Sequence, residues 1–170
     1  LIRENVTINR RHSRQRAHRN RQPQPAHGAV HVAHDVQMGS RCTVGNTTKF
    51  AGEVIVDDNA IVSSSVLVHQ FCHIGSYVMI SGGSRTAQDI PYIMAAREPI
   101  AFCGLNIVGL KRNGFSQPLI DNIHETYRLL YQRGKLRAEC LQEIRDQIPM
   151  SPEIEYILTF VQQSARGIIK

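Results

Sequence analysis

An apolar residue returns at every sixth position between Val32 and Ile80: Val32, Met38, Val44, Phe50, Val56, Val62, Val68, Ile74 and Ile80. Helices repeat near 3.6 residues and half-buried strands near 2, so a strict six demands another geometry. Ala33, Gly39, Gly45, Ala51 and Gly75 each follow an apolar residue of the series. The pattern predicts a three-sided coil. Each hexad forms one flat side, its apolar residue faces the axis, and the small residue behind it lets the backbone turn the corner. Eighteen residues close one turn, and residues eighteen apart stack at the ~4.8 Å spacing of paired strands. His34, Gly52, Gln70 and Gln88 therefore share a column, with His31 on the same coil as His34. A histidine ring beside a glycine backbone one layer away pairs a general base with an exposed N–H donor.

The rhythm stops at Asp89, where Ile90-Pro91-Tyr92 and Arg97-Glu98-Pro99-Ile100 read as irregular loop because proline removes donors and restricts its predecessor. Ser116 ahead of Gln117-Pro118 is an N-cap with an early proline. Leu119, Ile123, Tyr127, Leu130 and Tyr131 then mark a helical face to about Gln132. A second helix is expected from Lys135 to Gln147 and a third from Ser151 to about Ala165, carrying Ile154, Ile157, Leu158 and Val161. The expected organisation is a mainly β parallel coil over 1–88, a connecting loop over 89–115, and a C-terminal α-helical domain over 116–170.

Composition narrows the class. The 170 residues, 42% of them hydrophobic, suffice for a substantial core. No stretch approaches the ~20 apolar residues of a membrane span, and the start Leu1-Ile2-Arg3-Glu4 is neither a signal peptide nor an initiator methionine. A soluble, cytoplasmic, N-terminally truncated protein is expected. Cys42, Cys72, Cys103 and Cys140 form no CxxC pair and are expected to be reduced, mostly buried side chains rather than a disulfide or zinc set.

The net charge of +6 comes from Arg10, Arg11, Arg14, Arg16, Arg19 and Arg21, a run without an acid, and the rest of the chain balances. A solvated tail and a phosphate-binding arm both fit such a run. From Arg11 to Ala29 there is no apolar hexad, yet the rhythm resumes at once afterwards. A shifted reading frame across 11–29 accounts for this. One-base back-translation places isoleucine at slot 20 and leucine at slot 26, in phase with Val32, where the chain has Asn20 and Ala26.

The strings His31-Val32-Ala33-His34-Asp35, Ala51-Gly52-Glu53, Val68-His69-Gln70-Phe71, Asn106-Ile107-Val108-Gly109-Leu110-Lys111-Arg112 and Ala165-Arg166-Gly167, in this order, closely resemble the acyl-carrier-protein-dependent UDP-N-acetylglucosamine O-acyltransferases of lipid A biosynthesis. The resemblance covers 1–10 and 30–170, with departures at Asn9, Glu53 and Val108. It implies a left-handed parallel β-helix of hexapeptide repeats, assembled as a homotrimer with active sites in the clefts between subunits. It also implies transfer of a 3-hydroxyacyl group from acyl carrier protein to the 3-hydroxyl of UDP-N-acetylglucosamine, with no cofactor, since the acyl thioester is itself a substrate.

Position by position, the resemblance makes His34 the general base and Gly52 the backbone donor to the thioester oxyanion. His31, His69 and Gln70 line the cleft, Gly82 gauges acyl depth, and Asn106 and Arg112 bind the nucleotide. Asp35 is not assigned as the partner orienting His34, because neighbours on a flat side point opposite ways. His73 and His124 are read as structural. Four alternatives stand beside this. They are the related UDP-acylglucosamine N-acyltransferase, an inactive fragment of the O-acyltransferase, a zinc β-helix using His31, His34 and His69, and a nucleic-acid module using the arginine run.

Overall fold

The computed structural model describes residues 4–9, 27–132 and 134–170. The shifted-frame stretch, apart from His27, Gly28 and Ala29, and the arginine run lie outside the described residues. Among the described residues, thirteen short strands precede four helices. The strands are β1 (Thr7–Ile8), β2 (His31–Val32), β3 (Gln37–Met38), β4 (Thr43–Val44), β5 (Lys49–Phe50), β6 (Ile55–Val56), β7 (Ile61–Val62), β8 (Leu67–Val68), β9 (His73–Ile74), β10 (Met79–Ile80), β11 (Arg85–Thr86), β12 (Met94–Ala96) and β13 (Ala101–Phe102).

They form three faces with strand orders β1-β2-β5-β8-β11, β4-β7-β10-β12-β13 and β3-β6-β9. Along the coil, pairing is parallel and advances by one turn: His31 pairs with Lys49, Lys49 with Leu67, and Leu67 with Arg85. The eighteen-residue turn expected from the hexads is the turn observed, and the architecture is a left-handed parallel β-helix. β1 pairs with β2 through Thr7 and His31, which are 24 positions apart rather than 18.

Two inward columns fill each side. The hexad series supplies the first, with Phe50, Val56, Val62 and Ile74 at 0–1% exposure. The second lies two positions earlier and holds Val30, Cys42, Thr48, Val54, Ala60, Val66, Cys72 and Val78, all at 0–1%. Thr48 is tolerated there because its hydroxyl donates to Ser63 O at 2.7 Å and accepts from Val66 N at 3.2 Å. All four cysteines are free. Cys42, Cys72 and Cys140 are buried, and burial pushes the Cys42 and Cys72 thiols up to about 11.

The corners differ from the expectation. The backbone turns three positions after the apolar residue, at Ala29, Asp35, Arg41, Thr47, Glu53, Asn59, Ser65, Phe71 and Tyr77, which hold φ between 56° and 63°. Such a φ is strained for these side chains. The solenoid offsets it by pairing corner amides with the preceding coil: Glu53 N donates to His34 O, Asn59 N to Ser40 O and Phe71 N to Gly52 O. The small residue after the apolar one has another purpose. A Cβ at Gly39 would sit 2.7 Å from Asp58 N, so glycine there lets successive coils approach. Ala29 already obeys the corner rule, so the coil begins before the end of the stretch read as irregular.

The C-terminal part holds α1 (Ile107–Arg112), α2 (Gln117–Leu130), α3 (Arg137–Gln147) and α4 (Pro152–Gln163). Ser116 and Ser151 cap α2 and α4 by accepting from Leu119 N and Ile154 N. α1 lies where only connecting loop was expected. It is capped by Asn106, whose Oδ1 accepts from Gly109 N at 3.0 Å, and anchored by buried Leu110. α4 locks onto the β3-β6-β9 face. Tyr156 donates its hydroxyl to Asp57 Oδ2 at 2.5 Å, and the same carboxylate oxygen lies 2.7 Å from His73 Nε2. Ser164 and the His73 amide both donate to buried Asp89, so the chain after α4 returns to the last coil. Among the described residues, no helix is long and apolar enough to cross a membrane.

Candidate functional site

The expected column exists. Glu53 N bonds His34 O and Phe71 N bonds Gly52 O, so the backbones at His34, Gly52 and Gln70 lie on successive coils. The His34 ring lies flat over Gly52: a Cβ there would be 2.5 Å from His34 Cε1 and 2.6 Å from Nε2. Only glycine admits an imidazole at that place. Among the described residues the Gly52 N–H donates to no backbone carbonyl.

Asp35, to which the sequence assigns no role, proves to orient the ring. It occupies a corner with φ of 58° rather than a flat side, and this brings its Oδ2 to 3.1 Å from His34 Nδ1. A carboxylate only accepts, so Nδ1 donates to Asp35, and in the neutral ring the lone pair falls on Nε2, the nitrogen beside Gly52. The His34 side chain is 44% exposed and Asp35 18%, so the ring is the more open member of the pair. The missed signal was the corner phase, three positions after each apolar residue.

Next to this column runs a groove of about 650 Å³ along the β2-β5-β8-β11 face, lined by His31, Lys49, Gly52, Leu67, His69 and Arg85 over a floor that includes Phe50 and Val68. His31 Nδ1 lies 2.6 Å from Thr7 Oγ1, and His69 Nδ1 lies 3.2 Å from the Gln70 carbonyl. The structure thus gathers His31, His34, Gly52, His69 and Gln70 on one edge. Gly82 is on the corner that enters β11, three residues before Arg85, where an added Cβ would meet Ser64 O at 3.1 Å. Asn106 and Arg112 do not line the groove of this protomer. Asn106 caps α1 with its side chain, and Arg112 ends that helix, exposed. Among the described residues, no three His, Cys, Asp or Glu side chains converge as a metal site.

Residues 89–169 match the family model described as UDP N-acetylglucosamine O-acyltransferase, domain 2. The acyl-(acyl-carrier-protein)–UDP-N-acetylglucosamine O-acyltransferase of Aliivibrio salmonicida is 41% identical over 142 residues, which are 83% of this chain and 54% of that protein. The crystal structure of the UDP-N-acetylglucosamine acyltransferase from Bacteroides fragilis superposes with a TM-score of 0.85 at 54% identity, covering 87% of this chain and 58% of that one. The Arabidopsis UDP-N-acetylglucosamine acyltransferase superposes with a TM-score of 0.77 at 35% identity, covering 84% and 54%. The chain spans about half the length of the curated relatives it matches. Over coil and helical segment alike, 83–87% of the chain is similar to UDP-N-acetylglucosamine O-acyltransferases.

Proposed function

We propose that the site transfers a 3-hydroxyacyl group from the thioester of acyl carrier protein to the 3-hydroxyl of UDP-N-acetylglucosamine, the first step of lipid A biosynthesis. The observation that carries this is the stacking of the His34 imidazole on the Gly52 backbone, with Asp35 on the opposite ring nitrogen. His34 Nε2 takes the proton of the sugar hydroxyl as its oxygen attacks the thioester carbonyl. The negative charge that develops on that carbonyl oxygen meets the Gly52 N–H, and Asp35 stabilises the imidazolium. On collapse, the carbon–sulfur bond breaks and the imidazolium returns its proton to the departing thiolate. The carrier leaves with a free thiol and the sugar with an ester.

His31 and His69 line the same groove and, with Gln70 next in sequence to His69, suit the sugar and acyl portions. Gly82 leaves the acyl path open to a long chain. Asn106 and Arg112, which are not among the groove-lining residues of one protomer, fit a homotrimer in which a neighbour's helix completes the nucleotide site. A cytoplasmic location follows from the two soluble substrates.

The test is turnover of acyl carrier protein thioester and UDP-N-acetylglucosamine by this chain, with and without His34→Ala. Loss of a positioned base costs about 10²–10⁴ in rate. Retention of most of the activity by His34→Ala would refute the assignment.

A further inference from the structure

A second cavity, of about 720 Å³, opens on the helical segment and shares no lining residue with the groove beside His34 and Gly52. Its apolar walls are Phe102 from β13, Leu130 and Tyr131 at the end of α2, Leu136 ahead of α3, and Ile168 from the returning chain. The Phe102 and Tyr131 rings pack with centroids 4.8 Å apart, and the Tyr131 hydroxyl donates to the Ile169 carbonyl at 2.8 Å. Leu136 is 70% exposed at the mouth. A large apolar side chain is thus left in water beside a concave apolar surface.

The charged side of this cavity has one sign. Lys135, Arg137 and Lys170 line it, and no lining residue is Asp or Glu. Lys135 is answered by Glu143 at 2.6 Å, and the nearby Glu139 carboxylate is occupied by the Leu136 amide at 3.0 Å. Among the described residues, no carboxylate pairs with Arg137 or with the Lys170 ammonium. Burial raises the Tyr131 phenol and Arg137 opposes that rise, so the guanidinium and the apolar wall are neighbours.

We propose that this cavity binds a free medium-chain carboxylate, its head on Arg137 and its alkyl chain against Phe102, Leu130, Leu136 and Ile168. The volume lies within the range of about 300–1,000 Å³ that small-molecule sites occupy. A guanidinium matches a carboxylate by paired, charge-assisted hydrogen bonds, and the Lys170 ammonium adds its field at the same mouth. The alkyl chain covers Leu136 and removes its apolar surface from water. A nucleotide suits the cavity less well, because base recognition needs hydrogen-bonding groups and Gln132 is the one amide side chain in the lining. Binding here is independent of the acyl-transfer reading, since neither His34 nor Gly52 takes part.

Calorimetric titration of the 170-residue chain with decanoate, decanol and decyltrimethylammonium, each below its micellar concentration, tests this. Decanoate should bind about tenfold tighter than decanol, and the cation should bind no better than the alcohol. Arg137 is exposed, so Arg137→Gln leaves the fold intact; it should erase the preference for decanoate and leave decanol unchanged. Leu136→Ser places a good capping residue at an exposed position, and it should weaken decanoate and decanol alike without lowering the thermal melt. Absence of decanoate binding, equal affinity for decanoate and decanol, or a preference for the cation would overturn the proposal. So would full decanoate affinity in Arg137→Gln, which would move the ligand to the groove beside His34. Decanoate binding that Leu136→Ser leaves untouched would equally remove the alkyl chain from this cavity.

Discussion

Gly52→Ala separates the site from the scaffold that holds it. Gly52 has no positive φ, so the backbone accepts alanine, and the loss of unfolded-state freedom favours the variant by about 0.4–1 kcal/mol. The new methyl group would lie 2.5 Å from His34 Cε1 and 2.6 Å from Nε2. Restoring an ordinary carbon contact of about 3.5 Å requires the ring to move about 1 Å. The obstacle is the end of a half-exposed side chain, which yields readily, so stability should change by less than about 1 kcal/mol. Function should not survive so lightly, because a displacement of about 1 Å in a reacting group costs on the order of 10² in rate.

Gly39→Ala is the control. Its methyl group would face the Asp58 amide nitrogen at 2.7 Å and the Asp57 carbonyl carbon at 2.8 Å, backbone that cannot swing aside. It should lose about 1–3 kcal/mol of stability through overpacking. Steady-state acyl transfer and urea unfolding of both variants provide the comparison, with long-range nitrogen NMR of the His34 ring reporting the displacement directly. A kcat for Gly52→Ala within about threefold of the parent, or a loss of stability matching that of Gly39→Ala, would refute the idea that the glycine exists to seat the imidazole.

Three further outcomes are expected. Tyr156→Phe removes the hydroxyl that donates to Asp57 and accepts from the Ser76 amide at 2.8 Å, so urea unfolding should show a loss of about 1–3 kcal/mol, and a change below about 0.5 would deny α4 its polar lock. The Cys42 and Cys72 thiols, raised from 9.0 to about 11 by burial, hold protons that the unfolded chain has released. Their stabilising effect is complete below pH 9 and lost as pH climbs through 11, so a urea midpoint flat across that window would contradict the burial of these groups. Burial also raises the phenols of Tyr92, Tyr127, Tyr131 and Tyr156, so tyrosinate absorbance from these four should rise only with unfolding. Metal analysis should find well under one zinc per chain and chelator should leave the melt unmoved, because His31, His34 and His69 face Thr7, Asp35 and the Gln70 carbonyl respectively; stoichiometric zinc would restore the metal reading.

The coil was legible because its first inward column is made only of strongly apolar residues, and a period of six fits neither a helix nor a flat strand. The second inward column was not, since Cys42, Thr48 and Ala60 share no obvious hydrophobic signature; backbone partners such as Ser63 O make a hydroxyl acceptable inside. The corners were hidden for a deeper reason. Thr47, Glu53, Asn59, Ser65 and Phe71 have no chemistry in common, because the φ they adopt is imposed by amides pairing with the coil below rather than by side-chain preference. α1 escaped because six residues with Gly109 near the middle carry too little helical periodicity, and its start depends on the Asn106 cap alone.

Those hidden corners explain why half of the site could be read and half could not. His34 and Gly52 belong to a column fixed by the eighteen-residue turn, so their stacking follows from counting. Asp35 reaches His34 only because position 35 bends into the left-handed region, a conformation that flat-side alternation excludes. The spacing between coils then sets the chemistry. At about 4.8 Å between coils, the His34 ring in its observed place lies against bare backbone, where an added Cβ would be 2.5 Å from Cε1. This ring position therefore requires glycine at 52, and the ring packs directly against the backbone of that residue. On the proposed reading, general base and oxyanion donor are thus tied together by one steric condition at the residue eighteen positions after the histidine.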